Sequence, residues 1–292
     1  MADQPYQQWS HEAAEASGSV ALITGTNSGF GLLTSIALAK DGYQVISTMR
    51  NTGKGDTLRS AAGRAGVTDR IDIMQMDVTN ETQVRDVVER VVARYGRIDV
   101  LINNAGYAAG GLVEEVALSE WRRQFETNVF GVLACTQAVL PCMREQGAGR
   151  IVTVSSISGR IAMPGLGPYS ASKFALEGMM ESLRFEVARY GISVVLIEPG
   201  PYQTNVWENS LRGYQMDPDS PYSDTANRLY KQVQNTAKSA GDPMEVVGVI
   251  RKVLRHRSPK FRYPVGKGMR LALTARKWLP WRLFERVVQS QM

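Results

Sequence analysis

The chain has 292 residues, 43% of them apolar and 21% charged, which excludes global disorder and leaves room for one large α/β domain or two smaller ones. No stretch offers about 18 uninterrupted apolar residues, so no membrane-spanning helix is expected. The formal net charge of +6 is unevenly spread: residues 249–292 hold twelve Lys and Arg against Glu285 alone, a balance of +11, and the remainder carries −5.

In chain order, residues 1–17 form a polar, acidic tail. It lacks the basic and apolar regions of a signal peptide, so a cytoplasmic location is expected. Its "HEAAE" lacks the second histidine of a zinc motif, and no metal is expected. Apolar, β-rich runs follow at 20–24, 43–48, 70–76, 98–103, 150–155, 192–198 and 261–265, with helix-like stretches between them. Two of those stretches, "LLTSIALAKDG" and "ETQVRDVVERVVARYG", close on a glycine stop. Cys135 and Cys142 both fall in an apolar helix-like stretch and read as buried thiols, not as a disulfide framework. Strands alternating with helices predict βαβ units and a parallel sheet. Continuously apolar strands predict that both sheet faces are covered. With no repeat and no low-complexity linker, one doubly wound domain fits better than two.

The first strand runs into "TGTNSGFG", residues 24–31, and then into an apolar helix. In a strand-to-helix turn, Gly25 permits the bend, Gly29 lets the backbone approach a pyrophosphate, and Gly31 lets the helix pack closely on the sheet. The helix N-terminus offers free N–H groups to phosphates. Asn27, Ser28 and Phe30 share that turn.

Further motifs follow in order. "NNAG" at 103–106 follows the fourth strand, Ser155-Ser156 ends the fifth, "YSASK" carries Tyr169 and Lys173, and "PG" at 199–200 ends the sixth. Each is weak alone. Together, over about residues 18–265, they resemble the short-chain dehydrogenase/reductase family. The resemblance implies a single Rossmann-type α/β domain over residues 18–268, with a mostly parallel seven-stranded sheet, a helical lid at about 201–240 and a C-terminal extension at 269–292. It also implies a nicotinamide cofactor.

Tyr169 and Lys173 lie four apart in a helical pattern and share a face. A tyrosine near pKa 10 is a poor base at neutral pH. The Lys173 ammonium, with the oxidised nicotinamide's charge, is expected to lower that value, so that Tyr169 exchanges a proton with a carbonyl or alcohol oxygen. Ser156 would hold the same oxygen. The resemblance assigns Asn128, in "ETNVFG", to a water near the lysine. It assigns Asp77 and Val78 to the adenine end, although Asp77 also suits a turn. Asn104, Ala105, Gly106, Pro199 and Gly200 would line the cofactor. Thr204 would contact its carboxamide, and Lys173 its ribose hydroxyls.

Cofactor choice turns on the end of the second strand. An acid about 20 residues past the glycine turn would favour NAD. Met49 stands there, and Arg50 follows, with a guanidinium suited to a 2′-phosphate. NADP, as NADPH, is therefore preferred, with NAD as the alternative if Arg50 only stacks on adenine.

The substrate side rests on composition. Residues 201–240 hold Tyr202, Trp207, Tyr214, Met216, Tyr222 and Tyr230, and residues 159–168 supply a second wall. Such contacts suit a small apolar carbonyl or alcohol substrate, or they pack the lid on the core. The extended C-terminus with "RYPVG" resembles the 17β-hydroxysteroid and retinol dehydrogenase branch. Carbonyl reduction is the leading reading, NAD-linked alcohol or hydroxysteroid oxidation the alternative. A nucleotide-binding regulator would not need the Asn128, Ser156, Tyr169 and Lys173 set. No nucleic-acid reader motif is present, so no nucleic-acid partner is expected. A homo-oligomer is expected. Pro280 divides the basic C-terminus into two short helical pieces. Their mixture of Trp, Leu and Arg suits peripheral membrane contact, a flap over the substrate mouth, a subunit contact, or plain docking on the domain.

Overall fold

The computed structural model describes residues 18–204 and 219–289. The tail at 1–17, and with it the "HEAAE" stretch, lies outside the described residues. Seven strands are formed: β1 (Val20–Thr24), β2 (Gln44–Met49), β3 (Ile71–Gln75), β4 (Val100–Asn103), β5 (Gly149–Val154), β6 (Ile192–Pro199) and β7 (Arg262–Val265). Each matches an expected run to within two residues at either end. Ten α-helices are described: α1 (Gly29–Lys40), α2 (Asp56–Ala65), α3 (Glu81–Tyr95), α4 (Leu118–Phe125), α5 (Gly131–Gln146), α6 (Gly167–Val187), α7 (Ser223–Lys238), α8 (Met244–Arg255), α9 (Met269–Trp278) and α10 (Trp281–Gln289). Pro280 separates the last two, as expected.

The strand order is β3-β2-β1-β4-β5-β6-β7, and every pairing is parallel. A parallel neighbour needs a crossover, and helices supply it on both faces. The inner strands are largely apolar for that reason, whereas the edge strands β3 and β7 are mostly part-buried and carry Asp72, Gln75 and Arg262. In β1, Val20 and Leu22 join the core beneath α3, α5 and α6, while Ala21 and Ile23 join the core beneath α1 and α8. Leu22 and Ile23 are fully buried, each stabilising the sheet by about 1.5–3 kcal/mol. Cys135 lies in the first of these cores. Cys142 departs from the expected burial: it is only partly covered, at the turn where its thiol donates to Gln146.

β1 lies between β2 and β4, so the chain leaves it in opposite directions at its two neighbours. A crevice opens there beyond the carboxyl ends of the strands. On the α1 side, Arg251 Nε of α8 reaches Asp41 Oδ2 at 2.7 Å and Arg255 reaches the same carboxylate at 2.9 Å. These pairs fix α8 against the C-terminal end of α1.

Candidate functional site

One cavity of about 920 Å³ opens from the crevice, within the usual range for a ligand site. Gly25, Asn27, Ser28, Gly29, Phe30, Arg50, Asp77, Val78, Asn104, Ala105, Gly106, Ser156, Tyr169, Lys173, Pro199, Gly200 and Thr204 all line it. Gly31 and Asn128 do not, and each lies one layer behind.

The glycine turn is built as its spacing predicts. Gly25 has φ +69°, and a Cβ there would stand 2.7 Å from Ala105 Cα. A Cβ on Gly31 would stand 2.4 Å from the Gly25 carbonyl oxygen and 2.5 Å from Asn104 Nδ2. The absent side chain lets Asn104 donate to the carbonyls of Thr24 and Gly25, at 2.8 and 3.0 Å. Thr24 Oγ1 in turn accepts from the main-chain N–H groups of Asn104 and Ala105. The ends of β1 and β4 are thus tied into one rigid lip. Ser28 precedes α1, and its side chain makes no capping bond, so the first N–H groups of the helix face the cavity unsatisfied by a cap. Together with the cradle that a Cβ would fill, this fits a bound pyrophosphate.

Asp77 does what a turn residue does: Oδ1 accepts from the N–H and the hydroxyl of Thr79, at 3.0 and 2.8 Å. At the end of β2, Met49 is buried, Arg50 is exposed, and both line the cavity. Lys54, four residues on, joins them. Sequence reasoning missed this second cation. The signal was a lysine one turn beyond the arginine, in the short helical turn that the Asn51 side chain caps at Gly53.

α6 enters through Gly167 and Pro168, with proline suited to a helix's first turn. It presents Tyr169 and Lys173 on one face. Lys173 Nζ donates to the Val154 carbonyl at the end of β5, at 2.8 Å, and lies 5.7 Å from the centre of the Tyr169 ring. Burial lowers the Lys173 ammonium to about 8, against the opposing effect of Glu177. Ser156 sits at the start of the turn after β5, where its hydroxyl accepts from Ser158 N–H at 3.1 Å. At Tyr169 the expected lowering has an opponent. Burial pushes its phenol above the ordinary value, and only a hydrogen bond with Ser156 pulls it down.

Asn128 lies in a π-helical turn, Glu126–Phe130, that joins α4 to α5. Such turns often mark functional sites. Its amide donates to the Tyr107 carbonyl at 3.0 Å and to Ser172 Oγ at 3.2 Å, and its Oδ1 accepts from Tyr107 N–H at 3.1 Å. It clamps the loop after β4 onto α6.

A charged cluster behind the site escaped the sequence reading. Glu177, one turn beyond Lys173, accepts from Ser155 Oγ at 2.6 Å and from Arg262 Nε at 2.8 Å. Glu198, fully buried near the end of β6, pairs with Arg160 at 3.1 Å and lies 3.5 Å from Arg262 Nε. Its second oxygen has no hydrogen-bond partner among the described residues. Burial and the Glu177 charge raise its carboxyl to about 7, while Arg160 and Arg262 oppose them. The available signal was a lone acid in the apolar run "ISVVLIEP".

The outer wall is apolar. Ile161, Met163, Pro164 and Leu166 line it from the segment before α6, as expected. Of the lid aromatics, Tyr202 lines the cavity, packed edge-on to Phe30 at 5.8 Å. Tyr222 instead stands exposed and donates to Glu114, and Tyr230 is not among the lining residues. Trp207, Tyr214 and Met216 lie outside the described residues. α7 adds Leu229 and Val233. The C-terminal helices complete the wall with Met269, Ala272, Arg276, Leu279 and Phe284, the flap arrangement that composition had left among several.

A doubly wound parallel sheet with a glycine-lined crevice and a Ser, Tyr and Lys set defines a nucleotide-dependent oxidoreductase class. Residues 19–215 match the short chain dehydrogenase family. The uncharacterized oxidoreductase YusZ of Bacillus subtilis is 42% identical over 276 residues, covering 94% of this chain and 98% of that protein. The 3-ketodihydrosphingosine reductase of Bacteroides thetaiotaomicron is 35% identical over 262 residues, covering 89% and 93%. Among solved structures, a short-chain dehydrogenase from Streptomyces avermitilis superposes with a TM-score of 0.77 at 35% identity, covering 89% of this chain and 93% of that one. A Burkholderia phymatum relative in complex with NAD gives 0.79 at 25% identity, covering 90% and 94%. Actinorhodin polyketide ketoreductase with NADPH gives 0.74 at 32%, covering 88% and 98%. The chain belongs to the short-chain dehydrogenase/reductase family.

Proposed function

We propose that the chain is an NADP(H)-linked reductase of an apolar ketone or aldehyde, able to run the reverse oxidation of the corresponding alcohol. The observation that carries this reading is the placement of Ser156, Tyr169 and Lys173 between the glycine crevice and an apolar wall in one cavity. The nicotinamide, when bound, supplies or accepts the hydride. Gly25 through Phe30 and Asn104 through Gly106 would hold the nucleotide against the ends of β1 and β4. Ser156 would donate to the carbonyl oxygen and fix its direction. Tyr169 would deliver the proton to that oxygen. A phenol raised by burial stays protonated at neutral pH, the state that reduction requires. Lys173, anchored on Val154, would hold a positive charge beside the phenolate left behind. Asn128 would act by positioning the Tyr107 loop against α6.

The preference for NADP is supported by Arg50 and Lys54 together, and by Met49 standing where an acid would favour NAD. A ketone substrate accords with the name of the Bacteroides relative. The Burkholderia structure in complex with NAD keeps NAD as the second reading.

The test is turnover of a panel of apolar ketones and aldehydes with NADPH and with NADH, followed by absorbance of the reduced cofactor. Tyr169→Phe should reduce turnover by about 10²-fold or more while cofactor binding survives. Near-normal turnover in that variant would remove the assigned proton donor.

A further inference from the structure

The helices that wall the cavity on one side are unusually apolar and basic on the other. On α9, Met269, Ala272 and Arg276 face the cavity, joined by Leu279 just past its end. Leu271 and Trp278, seven residues apart and so on one stripe, are 74% and 75% exposed. Arg270 and Lys277 border that stripe and are exposed as well. On α10, Phe284 and Val288 face the cavity, while Trp281 and Leu283 are 58% and 46% exposed, with exposed Arg282 and Arg286 beside them. Arg276 lies 4.9 Å from both the Trp281 and Phe284 rings and joins the two helices into one unit. Lys277 Nζ lies 5.3 Å from the Trp278 ring, so cation and indole are presented together.

Residues 267–289 carry six cations against Glu285 alone. Large apolar groups left in water need a partner. Indoles and leucines interleaved with Arg and Lys match the headgroup boundary of an anionic bilayer, where the rings enter and the cations meet lipid phosphates. A protein partner would have to be acidic along both helices and apolar between them, whereas an anionic lipid surface has both properties everywhere. No described helix is long and apolar enough to cross a membrane, so the contact is with the surface.

We propose that α9 and α10 dock on an anionic lipid surface and place the cavity mouth against it. An apolar substrate then enters from the lipid without crossing water; this route rests on the reductase reading, but the docking does not.

Flotation of the full chain with phosphatidylcholine vesicles, with and without about 30% phosphatidylglycerol, tests the docking at low salt. Binding to the anionic vesicles is expected, with weak binding to the neutral ones, and added salt should weaken it by screening. Arg270→Gln/Lys277→Gln should lower the anionic partition roughly 10- to 30-fold, and Leu271→Ser/Trp278→Ser should lower it on both vesicle types. None of these four residues lines the cavity, and circular dichroism of each variant confirms its fold independently of turnover. Failure of the full chain to float with anionic vesicles at low salt would overturn the proposal. So would unchanged flotation in both variants, or a dimer that Leu271→Ser/Trp278→Ser dissolves in a chain that binds no vesicles. Flotation needs no turnover, so a failed reductase assay and a failed docking assay are told apart.

Discussion

Removing the Arg262 guanidinium would strand two buried carboxylates. Arg262 Nε lies 2.8 Å from Glu177 and 3.5 Å from Glu198, and its Nη2 lies 2.8 Å from Glu181. The Glu177 side chain is 6% exposed and Glu198 is fully buried, so neither regains water when the cation is lost. Arg160, the other cation of the cluster, is 39% exposed and pairs with Glu198. Breaking a buried pair by removing one partner costs about 3–5 kcal/mol. Arg262→Met keeps much of the aliphatic volume beside Phe261, over which the guanidinium stacks at 4.3 Å, so most of the loss is electrostatic. The melting temperature should fall by roughly 6–20 °C, at about 2–4 °C per kcal/mol for a large domain. The cost depends on charge. Without the cation, the folded-state pKa of Glu198, already raised to about 7 by burial and the Glu177 charge, climbs further above its unfolded value. Its contribution is then fully present below the unfolded pKa and is lost as pH rises through the folded one. Urea unfolding of variant and parent should therefore show the larger deficit at about pH 8 and a smaller one at about pH 5.5. Adding Glu177→Gln to the variant should recover part of the loss. A deficit below about 1 kcal/mol at the higher pH, or one that does not shrink at the lower, would refute the assignment of this cluster as a buried ionic unit.

Arg50→Ala should weaken NADPH binding by roughly tenfold or more and leave NADH nearly unchanged, through loss of a charge-assisted bond. Titration of both cofactors checks this, and equal losses would mean that Arg50 does not read the 2′-phosphate. Met49→Asp should shift preference toward NADH, measured as the ratio of the two affinities. Glu198 has its carboxyl raised to about 7, so its ionisation destabilises the fold as pH climbs from the ordinary carboxylate range through that value. Glu198→Gln should accordingly gain stability relative to the parent across that window in thermal melts, and a difference constant with pH would refute the shift.

What the sequence made legible was local. The inner strands were visible because they are largely apolar runs, while the edge strands β3 and β7 also carry Asp72, Gln75 and Arg262, and the turn at Gly25 and Gly31 was visible because only glycine meets its geometry. Tyr169 and Lys173 were visible because helical spacing places them on one face. The Glu177, Glu198 and Arg262 cluster was not visible, because its members come from α6, β6 and β7 and meet only through tertiary packing. The burial that opposes the expected lowering at Tyr169 was hidden for a related reason. A sequence shows the neighbouring lysine but not the desolvation around both groups. Tyr222 and Tyr230 resembled pocket residues by composition, and only the placement of α7 shows Leu229 and Val233 turned to the cavity instead. The role of α9 and α10 as a wall was one of several open to an amphipathic terminus, since periodicity names a buried face without naming what it covers.

The position of β7 bears on how the chain is made. β6 and α6 precede β7 in chain order, so Glu177 and Glu198 leave the ribosome before Arg262 does. Until the edge strand arrives, the nascent sheet holds two facing acids with Arg160 as the only cation of the cluster yet synthesised. The glycine turn and the Asn104 lip that ties β1 to β4 are made entirely of residues that precede that segment. Ser156, Tyr169 and Lys173 also precede β7 in the chain, whereas the outer wall carried by α9 and α10 follows it. A product cut short before Arg262 would keep the glycine turn yet lack both the closing cation and the outer wall, and quality control would meet it as an incompletely closed sheet with an unpaired edge.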